Sequence, residues 1–204
     1  MTTPIRLTDR KRLAILQAAA SQFRAHGFDA SSMDKIALQA GVSKRTVYNH
    51  FPSKEELFAA TLLDLFESAA AETETPYLPA APLREQLETL LRRKLRVQGT
   101  RDFIDLARVA IAEAVHAPER ARPLIARIGA REEGLTLWIR AAQADGRLIA
   151  GDPLFASTLL QGQLKAVAFW PQVTMGAPPI DAAQQAQLVE VAVTMFLAYF
   201  AKTT

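Results

Sequence analysis

The chain predicts an all-α protein, a small three-helix head at the N-terminus followed by a larger helical body. Three observations carry this. Apolar residues recur at helical spacing along nearly all 204 residues, and no stretch alternates valine, isoleucine and threonine at period two as a half-buried strand would. The stretch Ser32 to Phe51 reads as two short helices joined by a glycine turn. Charge is divided along the chain: residues 1–54 hold nine basic side chains against three acidic ones, a net +6, which leaves −3 on the other 150 residues. A basic head on a mildly acidic body is the footprint of a protein that grips a polyanion at one end.

In order, Met1 to Leu7 carries Pro4 and no apolar period, so it reads as a loose arm. Its Arg6 either reaches a minor groove or belongs to an uninvolved tail. Thr8 caps a helix running to about His26, with Asp9 in its first turn and Leu13, Leu16, Ala20 and Phe23 on its inner face. Gly27 ends it, and Phe28 packs back beneath the next two helices.

Ser32 caps a second helix in which Met33, Ile36, Ala37 and Ala40 fall at i, i+3, i+4 and i+7, with Asp34, Lys35 and Gln39 opposite. Gly41 takes the positive φ that stops it, and Val42 anchors the turn. Ser43 caps a third helix, Lys44 to His50, which is too short to be stable alone and buries Val47 and Phe51. Its other side shows Lys44, Arg45, Thr46, Tyr48, Asn49 and His50. A helix, a turn and a second helix with a basic outer face form a helix-turn-helix, whose second helix fits a DNA major groove. Pro52 then stops the chain, Ser53 caps the next helix with Glu56 placed for a capping box, and that helix runs through Leu57, Phe58, Leu62 and Leu65 to about Thr73.

The run GVSKRTVYNHFPSKEELF, Gly41 to Phe58, resembles the DNA-binding signature of the TetR family of bacterial transcriptional regulators. The likeness joins turn glycine, two serine caps, Tyr48, Phe51 and a following capped helix in one fixed spacing. Arg45 stands where many members have a small residue. Lys44, Arg45, Thr46 and Asn49 supply base readout: Arg or Lys to guanine, Asn to adenine, Thr to the thymine methyl. Ser43, Tyr48, His50 and Lys54 lie at the margins of the helix, where the resemblance places backbone phosphates. For Tyr48 and His50 local packing or capping is an equal alternative. Lys54 at a helix start is unfavourable for the helix dipole, which a nearby phosphate would offset.

Thr75 to Pro82, TPYLPAAP, lacks periodicity and reads as a linker between domains. Leu83 to Val97 is a helix ended by Gly99; its Arg92, Arg93, Lys94 and Arg96 are either a solvated face or a second anion site. Asp102 to Val115 is the next helix, with Phe103, Leu106, Ala107, Ala110, Ile111 and Ala114 as its stripe. Pro118 opens a segment to about Ala144, with Pro123, Gly129 and Gly134 as breaks and Ile125, Ile128, Leu135, Trp138 and Ile139 inside. Gly146 closes it. Asp152 and Pro153 start a helix to Trp170, broken by Pro171. Asp181 caps a last helix so apolar around its circumference that it must bury one side in its own core and another in a partner. The last two helices are therefore expected to form a homodimer interface, which would set two recognition helices about 34 Å apart on a palindromic operator in double-stranded DNA.

The resemblance implies a head of residues 1–54 that binds DNA, and a body of residues 55–204 that dimerises and binds a small hydrophobic effector whose capture releases DNA. Candidate pocket residues are Phe103, Ala107, Ile111, Trp138, Gln161, Lys165 and Trp170, although an apolar stripe more often builds core than pocket. The turn GRLIAGDP, Gly146 to Pro153, and the helix after it resemble the AefR-like C-terminal subgroup.

Other classes are excluded or set against this. Half the residues are apolar, enough for a sizeable core. With no cysteine there is no thiolate nucleophile, disulfide or cysteine metal site, which fits a reducing cytoplasm. His26, His50 and His116 are scattered, so no metal site and no cofactor are expected. No glycine-framed serine is present and His116 has no orienting partner, so no catalytic residue is assigned and an enzyme is not expected. The N-terminus lacks a convincing leader pattern, and Leu188 to Ala201, the most apolar run, is interrupted by Glu190 and short of a membrane span. Sequence-neutral DNA packaging is the alternative function.

Overall fold

A computed structural model describes residues 7–129 and 134–202. The expectation for Arg6 lies outside the described residues. Among them the chain forms eleven α-helices and no strand: α1 (Leu7–Ala30), α2 (Met33–Gln39), α3 (Lys44–His50), α4 (Lys54–Thr73), α5 (Leu83–Gln98), α6 (Arg101–His116), α7 (Pro118–Gly129), α8 (Gly134–Ala144), α9 (Pro153–Ala168), α10 (Trp170–Met175) and α11 (Ala182–Phe200). The chain packs as two compact units. Of the described residues, the first takes 7–67 and 105–129, the second 68–104 and 134–202. This packing division falls inside α4 and α6.

In the first unit, Ile15, Leu16, Ala19 and Phe23 of α1 meet Ile36 and Ala37 of α2, Val47 of α3, and Leu57, Phe58 and Leu62 of α4 in one apolar core. The inner face of α1 differs from expectation at one position. Leu13 is exposed, and the buried stripe is phased through Ile15 and Ala19 instead. Gly27, at φ 75°, kinks the end of α1, which swings Phe28 into the core against Phe23 and Phe58 at ring-centroid distances of 6.1 and 5.1 Å. A side chain at this φ would be strained, so glycine is required there. On α7, Ile125 is exposed rather than inward, while Leu124 and Ala121, three residues apart, turn to the protein.

In the second unit α5, α8, α9 and α11 enclose a core of Leu87, Leu90, Leu135, Trp138, Ile139, Leu160, Val189 and Val193, among others. Lys94 departs from the solvated face proposed for its neighbours. It falls on the same stripe as Leu87, Leu90, Leu91 and Val97 and is buried. Arg92 pairs with Glu88 at 3.3 Å, and Arg93 donates to Thr75 Oγ1 at 3.3 Å.

The proline-rich stretch 75–82 lies within this second unit. Gln86 accepts from Leu78 N–H at 2.8 Å and donates to the Leu78 and Ala81 carbonyls, both at 2.9 Å. Arg147 donates to the Pro79 and Ala81 carbonyls at 2.8 Å. Tyr77 donates to Asp145 at 2.5 Å, and burial first, then this hydrogen bond, raise its pKa above the ordinary phenol value. Irregular backbone held by this many side-chain donors is packed structure, not a free tether. Pro171 also behaves differently from expectation, since it occupies the first turn of α10, where its missing N–H has no helical partner to lose. The turn after Gly146 pairs with the C-terminus through an antiparallel bridge, Leu148 to Ala201.

Candidate nucleic-acid interface

The helix-turn-helix is built from local rules that its sequence follows closely. Ser32 Oγ accepts from Lys35 N–H at 3.3 Å and starts α2. Gly41, at φ 66°, turns the chain, and Val42 N–H returns to the Ala37 carbonyl at 3.1 Å. Ser43 Oγ then accepts from Thr46 N–H at 3.1 Å and starts α3. Seven residues make a marginal helix alone, so α3 depends on its anchors. Val47 is fully buried and Phe51 nearly so, with the Arg12 guanidinium 5.4 Å from the Phe51 ring centre.

These anchors fix which side of α3 faces out. Lys44, Arg45, Tyr48 and Asn49 are exposed, and Thr46 and His50 are half-buried. Ser43, at the cap, is exposed as well. Seven of the eight residues singled out for DNA contact therefore lie together on one helix and its cap. Arg45 and Asn49 have no side-chain partner among the described residues, which leaves their donors open to base edges. Thr46 hydrogen-bonds with Ser43 at 2.8 Å, so its hydroxyl serves the cap. The His50 ring lies 6.2 Å from that of Phe51, in keeping with packing at the helix end.

Two side chains depart from a simple array. Lys44 pairs with Asp34 of α2 at 2.8 Å, both of them mostly exposed. The hydrogen bond to Asp34, and then its charge, raise the lysine pKa, and the ammonium is also 6.0 Å from the Tyr48 ring centre. Sequence reasoning missed Asp34 as a partner because it lies on the other helix, ten residues away. Lys54 does not stand free for a phosphate, as its place at a helix start predicts. Its Nζ instead donates to the carbonyls of Phe28, Asp29 and Ser31 at 2.8, 3.0 and 3.3 Å and sits 4.5 Å from the Phe28 ring centre. Three carbonyls at the end of α1 are where a cation is favoured, which accounts for a lysine at the start of α4 without any phosphate.

The candidate pocket residues divide between the two units. Ala107 and Ile111 belong to the first unit and the other five to the second. Trp138 is core: it is 1% exposed, donates to Gln86 Oε1 at 3.2 Å and meets Tyr77 edge-on at 5.5 Å. Phe103 is buried and Trp170 is nearly half exposed. Gln161 is buried, and its Oε1 has no hydrogen-bond partner among the described residues.

A cavity of about 200 Å³ does lie within the second unit, between the ends of α5 and α9, α10, and the residues leading into α11. Of the seven candidates only Lys165 lines it. Its other residues come from three separate stretches, 95–99, 164–172 and 179–185, which no local pattern connects. Among the described residues no helix is long and apolar enough to cross a membrane, and no group of acidic, histidine or cysteine side chains could hold a metal.

Comparison with known proteins agrees with this geometry. Residues 15–61 match the tetR family of bacterial regulatory proteins, and residues 85–202 match the C-terminal domain of AefR-like transcriptional repressors. The solved structure of a TetR-family transcriptional regulator from Pseudomonas syringae pv. tomato DC3000 is 49% identical and superposes with a TM-score of 0.81 over 97% of this chain and all of that one. The flavonoid-responsive regulator FrrA is 30% identical, with a TM-score of 0.74 over 96% of this chain and 99% of its own. RutR, a helix-turn-helix transcriptional regulator of Escherichia coli K12, is 29% identical over 177 residues, 82% of this chain and 79% of that protein. These relatives are regulators, not enzymes. The protein belongs to the TetR family of transcriptional regulators, with an AefR-like C-terminal domain.

Proposed function

We propose that this regulator is a homodimeric repressor, acting in the cytoplasm, that holds a palindromic operator through α3 and is released when its body captures a small hydrophobic effector. In this reading residues 1–54 are the DNA-binding head and residues 55–204 the effector-binding and dimerising body. The observation that carries it is the orientation of α3. Burial of Val47 and Phe51 leaves Lys44, Arg45, Tyr48 and Asn49 facing outward, a set of donors suited to guanine, adenine and phosphate.

Dimerisation through α9 and α11 has separate support. Leu154, Phe155, Leu159 and Val167 on α9 and Val191, Met195 and Tyr199 on α11 are all at least 46% exposed. The last three recur every four residues, so they form one stripe along α11. An apolar face of this extent on the two helices that also close the second core is best covered by a second copy related by twofold symmetry. Repression is supported by the AefR-like repressor domain, and a hydrophobic effector by the flavonoid response in the name of FrrA. The mechanism is differential affinity: an effector that binds better to the body of the DNA-free form shifts the population toward it.

Selection from a pool of random duplexes tests this. The expected product is an inverted repeat whose half-sites are one helical turn apart, about 10 base pairs. Recovery of unrelated sequences, or of single half-sites, would contradict it.

A further inference from the structure

The cavity at the end of α5 joins apolar walls to polar and cationic side chains. Leu95, Leu164, Phe169 and Ile180 form its apolar walls, and Gln98, Gln172 and Gln185 supply amides. Arg96 and Lys165 both line it, and no aspartate or glutamate does. Neither cation has an ion-pair partner among the described residues, whereas Arg84, Arg92, Arg108, Arg120 and Arg122 each pair with a carboxylate.

Arg96 and Lys165 also stand in the last turns of α5 and α9, where cations ordinarily offset the helix dipole. That role does not exhaust their charge. Each helix end contributes about −0.5 of an elementary charge, which offsets only part of two full cations. Asp181, beside the lining residue Ile180, commits its carboxylate to the Gln184 N–H at the start of α11, at 2.8 Å. A site with two cations and no carboxylate in its lining, and with apolar walls, is complementary to a molecule with one negative charge and an apolar body.

Size narrows the class further. At about 200 Å³ the cavity is smaller than the ~300–1,000 Å³ of sites for drug-sized ligands. The space therefore suits a ligand smaller than drug-sized.

We propose that this cavity is the effector site and that its ligand is a small amphipathic carboxylic acid, held by Arg96 and Lys165 at its carboxylate and by Leu164, Phe169 and Ile180 along its body. The assignment rests on the reading of the body as effector-binding, and it replaces a merely hydrophobic effector with an acid. Arg96, exposed, meets the carboxylate at the opening; Lys165, half-buried, fixes it deeper.

The test is calorimetric titration of the full-length protein with benzoate and hexanoate and with their neutral amides, benzamide and hexanamide, at low salt. The acids are expected to bind about tenfold or more tightly than the amides, as charge-assisted hydrogen bonds to two cations require. Arg96→Gln and Lys165→Met should each remove most of that preference, and Lys165→Arg should keep it. Arg96 is exposed, so its variant folds even if Lys165→Met does not. Equal affinity for acids and amides, no binding of either acid at millimolar concentration, or an unchanged preference in Arg96→Gln would overturn the proposal. A parallel assay of DNA release separates it from the broader reading. Acids that bind with the expected preference yet leave the DNA complex intact would sustain the ligand class and refute the effector role. Release by neutral apolar compounds alone would overturn the proposal while sustaining the broader reading.

Discussion

Lys54 Nζ stands 2.8 Å from the carbonyl oxygen of Phe28 and 4.5 Å from the centre of its ring. One side chain at the start of α4 thus closes the end of α1 and holds Phe28 over the core of the head. Lys54→Met is expected to destabilise the protein by about 1.5–3 kcal/mol, the range for hydrogen bonds that involve a charged group, and Lys54 is half-buried. The slope of DNA affinity against salt should not change, because no phosphate contact is lost. Chemical denaturation and binding at several salt concentrations check both parts. A shallower slope with unchanged stability would return Lys54 to the DNA.

The Lys44–Asp34 pair, at 2.8 Å, holds a recognition-helix cation against its own protein. DNA must compete for that ammonium. Asp34→Asn should therefore tighten DNA binding by up to about fivefold, since exposed ion pairs contribute roughly 0–1 kcal/mol. Fluorescence anisotropy with a labelled operator measures it, and weaker binding would mean that Asp34 itself aids the complex.

Arg45 is the exposed donor best suited to guanine. Arg45→Ala should cost about 1–3 kcal/mol of discrimination at one base pair in each half-site, and leave preference elsewhere intact. Binding to a panel of single-base operator variants resolves this. Uniform weakening across the panel would favour packaging over readout.

The apolar stripe on α11 predicts that Met195→Glu, placed at a residue 57% exposed, leaves the subunit folded but separates the dimer. Sedimentation should show a monomer, and operator affinity should fall by about 10³-fold, to the level of sequence-neutral binding. A dimer that survives both this substitution and Phe155→Glu on α9 would place the interface elsewhere.

The helix-turn-helix is legible in the chain because its boundaries are set by local chemistry. Ser32 and Ser43 cap the helices that their positions predict, and Gly41 has the positive φ its turn demands. The faces of longer helices are less legible. In α1 the apolar residues Leu13, Ile15, Leu16 and the following alanines allow two phases, and only packing against α2 and α4 selects Ile15 over Leu13. Lys94 reads as one of its charged neighbours, although its spacing from Leu87, Leu90 and Leu91 already puts it on the buried stripe. The cavity is the least legible feature. Arg96, Lys165 and Ile180 meet only through tertiary packing, and nothing local marks them as neighbours.

The most direct test of the whole account is a competition measurement of affinity for the inverted repeat recovered by selection against a scrambled duplex of equal length and composition. If α3 reads bases from a twofold scaffold, the inverted repeat should be preferred by about 10³-fold or more at physiological salt. Equal affinity for the two duplexes would contradict it.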